Sequence, residues 1–286
     1  MPELPEVETI RRDLERVLLG KEIKDVQVRT PRMVKSDRIV FLAILIGNRF
    51  ARLGRTGKLL HFHLAHSGRV LHMHLKMTGQ LICQVEGGLI VGGHPQAKID
   101  ELPNAYTHLI FVLDDGTTLF FNDVRTFGYA KLMELDEHEQ MLQRYGIEPN
   151  HSDFTWDRFS DLLIGRSGAL KPFLLNQKLI AGIGNIYADE ICFRARLRPQ
   201  RRLNSLTLPE RRRLFASCKK IISSAVDKRG TTFANFVDAA GQKGGYQPYL
   251  MVYGRGGERC RRCGSTEIIK TALAGRGTAY CPLCQR

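Results

Sequence analysis

The chain has 286 residues, and because 43 are Lys or Arg and 29 are Asp or Glu, its formal net charge at pH 7 is +14. This length allows two domains and a small additional module. The longest apolar run, residues 39–46, is too short to cross a bilayer, and the acidic, proline-containing start at Met1–Glu6 does not have the character of a secretory signal. We therefore expect a cytosolic protein that is not embedded in a membrane.

The excess positive charge lies entirely in the C-terminal half. Residues 1–149 contain 19 basic and 19 acidic residues, whereas residues 150–286 contain 24 basic and 10 acidic ones, and 24 − 10 gives the whole +14. Such a basic half predicts a polyanionic partner, in the first place nucleic acid. A surface that is basic without binding anything is the alternative.

The first predicted element is a helix that follows Pro5 and ends near Gly20, because Val7, Ile10 and Leu14 recur at helical spacing. Beyond it the apolar residues form short runs and alternations, which are typical of strands. The predicted strands cover residues 39–46, 58–64, 69–75, 107–113 and 117–121, and the last two are joined by the turn Asp114–Gly116. Residues 1–134 are therefore predicted to form a β-sandwich with one leading helix.

Helical patterns take over from about residue 150. Helices are predicted over Leu170–Leu179 and Ile186–Ala195, and the capping box Thr207–Glu210 begins a third helix. The apolar stripe of this third helix indicates ordinary core packing, and it consists of Leu214, Cys218, Ile221, Ile222 and Ala225. The glycine-rich segment 239–249 is predicted to be a loop. Together the two halves predict an α+β protein.

The cysteines at the C-terminal end form the most specific pattern in the chain. Cys260 and Cys263 form one C-x2-C pair, and Cys281 and Cys284 form a second. Four thiolates at this spacing predict one tetrahedral, structural Zn²⁺ with no open coordination position. Two disulfides would instead require an oxidising compartment. The predicted zinc finger is a β-hairpin that carries Arg276 between the two pairs.

The N-terminus contains residues that can do chemistry. Removal of Met1 would leave Pro2 with a secondary amine, and an α-amino group with a pKa of ~8 is partly unprotonated at neutral pH. Such an amine can attack a sugar carbon and form a cationic Schiff base. The neighbouring Glu3 and Glu6 could then transfer protons. The same residues also fit an ordinary helix start, where acids interact favourably with the helix dipole.

Two further patterns could contact a ligand. Asn185 follows Gly182 and Gly184 at a helix start, where backbone N–H groups can approach a phosphate, although a plain interhelical turn would look the same. Histidines are also dense in the predicted strands, at His61, His63, His66, His72 and His74. They lack the helical H-E-x-x-H pattern and a closing carboxylate, so hydrogen bonding or phosphate contact is favoured over a second metal.

Taken together, these motifs resemble the formamidopyrimidine-DNA glycosylases (Fpg, also called MutM), a family of bacterial base-excision repair enzymes. The resemblance runs from end to end of the chain. Its marks, in order, are Pro2–Thr9, Gly57-Lys58, His74–Gly79, Asn122–Gly128, Gly182–Glu190 and the zinc hairpin with Arg276.

The resemblance implies a catalytic β-sandwich domain over 1–134, a linker over 135–149 and a helical domain with a helix–two-turn–helix motif over 150–238. A flexible lesion-recognition loop over 239–254 and a zinc finger over 255–286 complete the expected chain, with double-stranded DNA between the domains. It also implies a monomer without an obligate protein partner, located in the bacterial cytoplasm with the nucleoid.

The resemblance further assigns roles to individual residues. Pro2 would be the nucleophile at C1′ of the damaged nucleoside, Glu3 would protonate the sugar, and Glu6 would support the site. Lys58 would donate a proton during β-elimination, and Arg276 would hold a phosphate and assist δ-elimination.

The DNA contacts are implied in the same way. The resemblance implies that His74 and Asn185 bind phosphates and that His108 and Arg125 make further DNA contacts. It also implies that the space left by an extruded nucleotide is filled by Met77, Arg125 and Phe127. Ser167 stands where many relatives have a basic residue, so that Arg166 or Lys171 is expected to supply this contact.

The implied activity is that of a bifunctional DNA glycosylase and abasic-site lyase that excises 8-oxoguanine and formamidopyrimidines and cuts the strand by β,δ-elimination. One alternative is the endonuclease VIII-like branch, which prefers oxidised pyrimidines and usually begins Pro-Glu-Gly-Pro-Glu, whereas this chain has Leu4. The other is a non-catalytic damaged-DNA-binding protein, which would not need Pro2, Glu3 and Lys58.

Overall fold

The computed structural model describes residues 1–93, 101–231 and 245–286. The chain forms two compact units: the first contains Met1–Gln143 and Arg229–Gly245, and the second contains Arg144–Lys228 and Tyr246–Arg286. Among the described residues, no helix is both long enough and apolar enough to cross a membrane.

The first unit contains three α-helices and nine strands in its described part. The helices are α1 (Leu4–Leu18), α2 (Arg38–Leu45) and α3 (Leu135–Leu142), and the strands are β1 (Ile23–Val28), β2 (Phe50–Thr56), β3 (Leu59–Leu64), β4 (Arg69–His74), β5 (Gly79–Val85), β6 (Gly88–Gly93), β7 (Thr107–Leu113), β8 (Thr118–Asp123) and β9 (Tyr129–Glu134). Four of the five predicted strands are confirmed, at β3, β4, β7 and β8, and so is the turn at Asp114–Gly116.

The strands form two antiparallel sheets. One has five strands in the order β1-β7-β8-β5-β6, and the other has four in the order β2-β3-β4-β9. One hydrophobic core contains residues of both sheets and of α1: Phe62 from the four-stranded sheet, Phe111 and Phe121 from the five-stranded sheet, and Ile10 from α1. The predicted β-sandwich with a leading helix is therefore confirmed.

Helix α1 begins at Leu4, within two residues of the predicted start. Glu3 is its N-cap, and the backbone N–H of Glu3 donates to Glu6 Oε2 at 2.9 Å, which is one half of a capping box. The predicted apolar face is buried in the sandwich core through Val7, Ile10 and Leu14. The first turn, which carries Glu3 and Glu6, is thus held both by its cap and by the core beneath it.

The strand predicted over residues 39–46 is wrong, because this segment forms helix α2. The Asp37 carboxylate accepts hydrogen bonds from the backbone N–H groups of Ile39 (2.9 Å) and Val40 (3.0 Å), which is the geometry of an N-cap. Phe41 and Leu45, one helical turn apart, are buried in the core. An eight-residue apolar run has no periodicity that distinguishes a buried strand from a helix, so that the cap decides the outcome.

The second unit contains the remaining elements. They are α4 (Trp156–Asp161), α5 (Leu170–Leu175), α6 (Asn185–Ala195) and α7 (Leu208–Asp227), and the strands β10 (Ile269–Leu273) and β11 (Arg276–Tyr280). The capping box of α7 is confirmed, since Glu210 Oε2 accepts from the Thr207 backbone N–H at 2.9 Å. Helix α5 is shorter than predicted, because Asn176 has an extended backbone and its side chain accepts from Lys178 N at 3.0 Å.

Part of the predicted lesion-recognition loop lies outside the described residues, which resume at Gly245. Within its described part, Gln247–Tyr249 forms one turn of 3-10 helix. The division of the chain into five functional segments remains a prediction.

Candidate active site

The start of the chain is surrounded by charged side chains of the first unit. Burial lowers the pKa of the Met1 α-amino group, the carboxylates of Glu3 and Glu6 raise it, and the Lys58 ammonium lowers it. The Glu3 side chain is almost completely buried. The structure therefore brings together three of the predicted catalytic residues around the terminus that carries Pro2.

Glu6 is held by donors from a distant part of the sequence. Its Oε1 accepts hydrogen bonds from Thr231 N at 2.7 Å and from Thr231 Oγ1 at 3.0 Å. Gly230 precedes this contact with φ +77°, and a Cβ at this position would lie 2.6 Å from Glu6 Oε1. The left-handed backbone therefore favours glycine there, and the hydrogen bonds from Thr231 hold the Glu6 carboxylate in place.

Lys58 lies on the turn between β2 and β3 and is buried. A neighbouring arginine fixes this turn, because Arg55 donates through Nε to Glu8 Oε2 (3.0 Å) and through NH1 to the Gly57 carbonyl oxygen (2.9 Å). Burial opposes ionisation of Glu8, but hydrogen bonds from Arg11 and Arg55 prevail and lower its pKa to about 2. Neither Glu8 nor Arg55 was predicted from the sequence as a site residue; Glu8 lies within the Pro2–Thr9 motif, and Arg55 lies close to the Gly57-Lys58 motif.

The three residues predicted to fill the space of an extruded nucleotide lie together on the surface of the first unit. Arg125 NH1 is 3.2 Å from Met77 Sδ, and the Arg125 guanidinium lies 4.6 Å from the centre of the Phe127 ring. Met77 and Phe127 are 44% and 53% exposed. Exposed large apolar side chains around one arginine suit the insertion of a wedge into a base stack.

Asp123, which is fully buried, organises the loop beneath these residues. Its Oδ2 accepts from Gly128 N at 2.7 Å, and its Oδ1 accepts from Arg125 N at 3.1 Å and from the Thr78 hydroxyl. A buried carboxylate with several donors fixes the backbone on both sides of Phe127. Asp123 stands inside the Asn122–Gly128 motif, but spacing alone did not reveal this role.

His108 was expected to contact DNA, and the structure places its side chain inside the first unit. The side chain is 6% exposed; its Nε2 is 2.7 Å from the Asp123 carbonyl oxygen, and its Nδ1 is 2.8 Å from Thr30 Oγ1. Nε2 must donate to the carbonyl, so Nδ1 accepts from the hydroxyl of Thr30. With both nitrogens engaged, His108 supports the Asp123 loop from below and offers no donor to a phosphate.

His74 keeps one nitrogen available for a contact. Its Nδ1 accepts from Lys76 N at 2.9 Å, which places the ring proton on Nε2. Burial, together with the positive charges of Lys76 and Lys58, lowers the pKa of His74 to about 3. The ring is therefore neutral at pH 7 and carries its proton on Nε2.

In the second unit, Asn185 is the first residue of the 11-residue helix α6, as predicted. Gln177 fixes the preceding turn, because its Oε1 accepts from Gly182 N at 2.9 Å and its Nε2 donates to the Ile183 carbonyl oxygen at 2.8 Å. Asn185 Oδ1 is buried and has no hydrogen-bond partner among the described residues. A helix N-terminus is suited to bind an anion through its backbone N–H groups.

Lys171 was also expected to contact DNA, and here the structure gives a different role. Its side chain is 0% exposed, and Nζ lies 2.7 Å from Asp189 Oδ1, 2.7 Å from the Gly277 carbonyl oxygen and 3.0 Å from Thr278 Oγ1. Lys171 therefore joins α5 to α6 and β11. Arg166 and Ser167, by contrast, are exposed, so that Arg166 is the basic residue that this segment presents to solvent.

The four cysteines have the arrangement that zinc requires. Their sulfur atoms lie within 4.8 Å of one another, and the pairs Cys260–Cys284 and Cys263–Cys281 are 3.9 Å apart. Sulfurs at ~2.3 Å from a tetrahedral Zn²⁺ are about 3.8 Å apart, so the observed spacing fits this ion closely. The predicted structural zinc is confirmed, and four thiolates leave it no position for a substrate.

The zinc finger presents the hairpin β10–β11, which turns at Ala274 (φ +49°) and Gly275 (φ +72°). Arg276 follows this turn directly and is exposed. Glu190, which the sequence analysis missed, holds the adjoining segment: its carboxylate accepts from the backbone N–H groups of Met251, Val252 and Tyr253, each at 2.9 Å. Arg276 is thus displayed next to the hairpin turn, and Glu190 fixes the segment that precedes the finger.

Sequence models of one family match most of the chain in three consecutive segments. The formamidopyrimidine-DNA glycosylase N-terminal domain matches residues 1–130, the H2TH domain of the same family matches residues 145–236, and the zinc finger found in FPG and IleRS matches residues 257–286. These segments confirm the expected β-sandwich, helix–two-turn–helix domain and zinc finger.

Known proteins of similar sequence and structure carry the same family name. The formamidopyrimidine-DNA glycosylase of Heliobacterium modesticaldum is 43% identical and is covered over 100% of both chains. Two solved structures from Lactococcus lactis are 34% identical with 100% coverage of both chains: a point mutant of FPG with Fapy-dG-containing DNA (TM-score 0.88) and wild-type Fpg (MutM) with DNA containing an oxidised pyrimidine (TM-score 0.85). The chain therefore belongs to the formamidopyrimidine-DNA glycosylase family.

Proposed function

We propose that the protein is a bifunctional DNA glycosylase and abasic-site lyase that excises oxidised purines from double-stranded DNA. The observation that carries the proposal is the convergence of Glu3, Glu6 and Lys58 on the chain terminus. An amine in the field of two carboxylates and an ammonium has nearby groups that can accept and donate protons. A protein that only binds DNA would not need this arrangement.

Base release begins with the secondary amine of Pro2 after Met1 is removed. Its lone pair attacks C1′ of the damaged nucleoside, the bond from C1′ to the base breaks, and the base leaves with the bonding electrons and takes up a proton. The buried Glu3 donates a proton to the ring oxygen as the sugar opens, and a cationic Schiff base forms between Pro2 and C1′. Glu6, fixed by Thr231, supports the site through its negative charge.

Strand cleavage follows from the same cation. The Schiff base acts as an electron sink, so that loss of a C2′ proton expels the 3′ phosphate in the β-elimination. A second proton loss, at C4′, then expels the 5′ phosphate in the δ-elimination. We assign proton donation in the first elimination to Lys58, and phosphate binding in the second to the exposed Arg276. Water finally hydrolyses the Schiff base and restores the amine.

The nucleotide must leave the base stack before Pro2 can reach C1′, at a cost of a few kcal/mol. We propose that Met77 and Phe127 fill the space it leaves and that Arg125 hydrogen-bonds the unpaired base of the opposite strand. The exposure of these side chains and the rigid loop above Asp123 support this assignment. His74, Asn185 and Arg166 would contact phosphates, whereas His108 and Lys171 would act from within the fold.

Two features bear on lesion preference. The first is Leu4, which departs from the start that is usual in the endonuclease VIII-like branch; this departure favours a preference for purine lesions. The second is that a related Lactococcus lactis Fpg has been crystallised with Fapy-dG-containing DNA. That protein has also been crystallised with an oxidised pyrimidine, so an alternative preference for pyrimidine lesions is tested by competition between the two substrates. We further propose a monomer that acts on chromosomal DNA in the bacterial cytoplasm.

The proposal is tested with Pro2→Gly and Glu3→Gln on a duplex that contains 8-oxoguanine opposite cytosine. Both variants should lose base excision while duplex affinity stays within a few fold of the unaltered protein. Glu137→Gln, which alters an exposed acid of the same unit, is the matched control and should be fully active. Full excision by both variants would refute the mechanism, and binding without excision by the unaltered protein would favour the non-catalytic damage-binding alternative.

A further inference from the structure

Four imidazoles form a cluster on the outer face of the four-stranded sheet. His61 and His63 lie on β3, His72 lies opposite His61 on β4, and His138 lies on α3. The intervening residues Leu60, Phe62 and Leu71 belong to the sandwich core. Because side chains alternate between the faces of a strand, the histidines of β3 and β4 point away from that core, toward α3.

The rings are close enough to share one ion. One ligand nitrogen from each of His61, His63 and His138 lies within 4.8 Å of the other two. The ring of His138 is 4.9 Å from that of His61, 5.2 Å from that of His63 and 4.9 Å from that of His72, measured between centroids. His61, His72 and His138 are buried, and His63 is partly buried.

One buried ring nitrogen of the cluster lacks a hydrogen-bond partner among the described residues. His61 Nδ1 is buried and has no hydrogen-bond partner in the part of the chain that the structure describes. The ring lies directly on the backbone of Gly54, where an added Cβ would be 2.0 Å from His61 Cε1, so the ring position depends on a glycine. A buried polar atom without a partner is costly, and a bound ion would remove this cost.

We infer that His61, His63 and His138 form a second metal site, which binds one divalent transition-metal ion of the zinc type. Neutral imidazole is a preferred ligand for Zn²⁺, Ni²⁺ and Cu²⁺. Nitrogens at 2.0–2.1 Å from a tetrahedral zinc are about 3.3 Å apart, so small side-chain rotations would close the site. No Asp or Glu joins this group within residues 1–93, 101–231 and 245–286.

The surroundings prepare the rings for metal binding. His138 Nδ1 is 2.7 Å from His72 Nε2. Donation from His138 to His72 would direct His138 Nε2 at the ion, as outer partners of metal-bound histidines commonly do.

One interaction opposes the ion. Arg52 NH2 lies 2.8 Å from His63 Nε2, where it occupies a ring lone pair and places a positive charge next to the site. Arg52 is exposed and can turn into solvent.

A metal at this position would join β3 to α3, an eight-residue helix that is too short to be stable by itself. The site would therefore be structural and separate from the chemistry at Pro2.

The test is to count metal in the intact protein with its zinc finger loaded. After incubation with excess Zn²⁺ and gel filtration, elemental analysis should give two zinc ions per chain. His63→Ala, a change at the least buried ligand, should give one, whereas His66→Ala, a change at an exposed histidine of the same unit, should give two. Arg52→Met should bind the second ion at least tenfold more tightly.

Spectroscopy and stability make the result independent of any single variant. Co²⁺ added to the zinc-loaded protein should give ligand-field absorption without a thiolate charge-transfer band, because no sulfur belongs to this site. The melting temperature of the first unit should rise with Zn²⁺ in the unaltered protein and in His66→Ala but not in His63→Ala. One zinc per chain at saturation, or a second zinc that His63→Ala retains, would overturn the inference.

Discussion

Replacement of Lys171 by methionine separates a structural role of this residue from a DNA contact. The ammonium is fully buried, is ion-paired with Asp189 at 2.7 Å and also donates to Gly277 O and Thr278 Oγ1. Methionine keeps most of the volume but leaves the Asp189 carboxylate buried without its counter-ion. Removal of one partner of a buried ion pair costs about 3–5 kcal/mol, which corresponds to a fall in melting temperature of roughly 10–15 °C.

The loss of stability in Lys171→Met should depend on pH in a defined direction. Burial raises the pKa of Asp189 to about 7, against the lowering effect of Lys171, so the pKa should rise further in Lys171→Met. The unfolded chain has an aspartate pKa of ~3.9, and the folded variant therefore binds a proton over a range where the unfolded chain does not. Stability of the variant should fall as the pH rises from the unfolded-state pKa to the folded-state pKa. The destabilisation should accordingly be smaller at pH 5 than at pH 8.

Thermal unfolding at both pH values and DNA affinity at several salt concentrations provide the assay. Lys171→Met should lower the melting temperature, and the double variant Lys171→Met/Asp189→Asn should recover much of the loss, because the amide that replaces the carboxylate is not a buried unpaired charge. Arg166→Met is the matched control: the residue is exposed, so the melting temperature should stay constant while the salt dependence of DNA binding weakens by about one phosphate contact. A stable Lys171→Met with a reduced salt dependence would refute this reasoning.

Three further predictions concern the zinc finger, the exposed side chains around Arg125, and the turn that carries Lys58. Zinc removal or Cys260→Ser should weaken duplex binding at least tenfold by unfolding the hairpin, as measured by fluorescence anisotropy; unchanged affinity after verified zinc loss would contradict this. Arg125→Ala should lose about 1–3 kcal/mol of base recognition and excise the base correspondingly more slowly, without a change in melting temperature. Wild-type kinetics would exclude a contact between Arg125 and the unpaired base. Arg55→Met removes the hydrogen bond to the Gly57 carbonyl and should slow strand cleavage about tenfold relative to base release, by analogy with outer supporting groups; an equal loss in both steps would argue against Lys58 as the proton donor.

The sequence predicted the architecture best where local signals and packing agree. The leading helix has a capping box at Glu3 and an apolar face, and α7 has a capping box at Thr207 and an apolar face, so each begins within two residues of its predicted start. Residues 39–46 lacked periodicity, and the single carboxylate of Asp37 made them helical. The apolar residues of Leu170–Leu179 correctly predicted a helix, but the helix ends before Asn176 and is shorter than predicted.

The site was predictable where function depends on the identity of a residue, and less so where it depends on burial. Glu3, Glu6 and Lys58 do not form one continuous motif, yet the family resemblance placed them together, and the charges around the terminus agree. Lys171 and His108 match contact positions in sequence, but their burial and their partners are properties of the packed fold. The same holds for Glu8, Asp123 and Glu190, whose roles consist of hydrogen bonds to distant backbone or side-chain groups.

Borohydride trapping tests the central claim most directly. The protein is incubated with a duplex that contains 8-oxoguanine opposite cytosine, the Schiff base is reduced, and the cross-linked peptide is identified by mass spectrometry. The mechanism predicts a covalent adduct on Pro2, the residue that follows the removed Met1. An adduct on Lys58 or another lysine would contradict the assignment of the nucleophile, and tight binding without any adduct or strand cleavage would contradict the proposed activity itself.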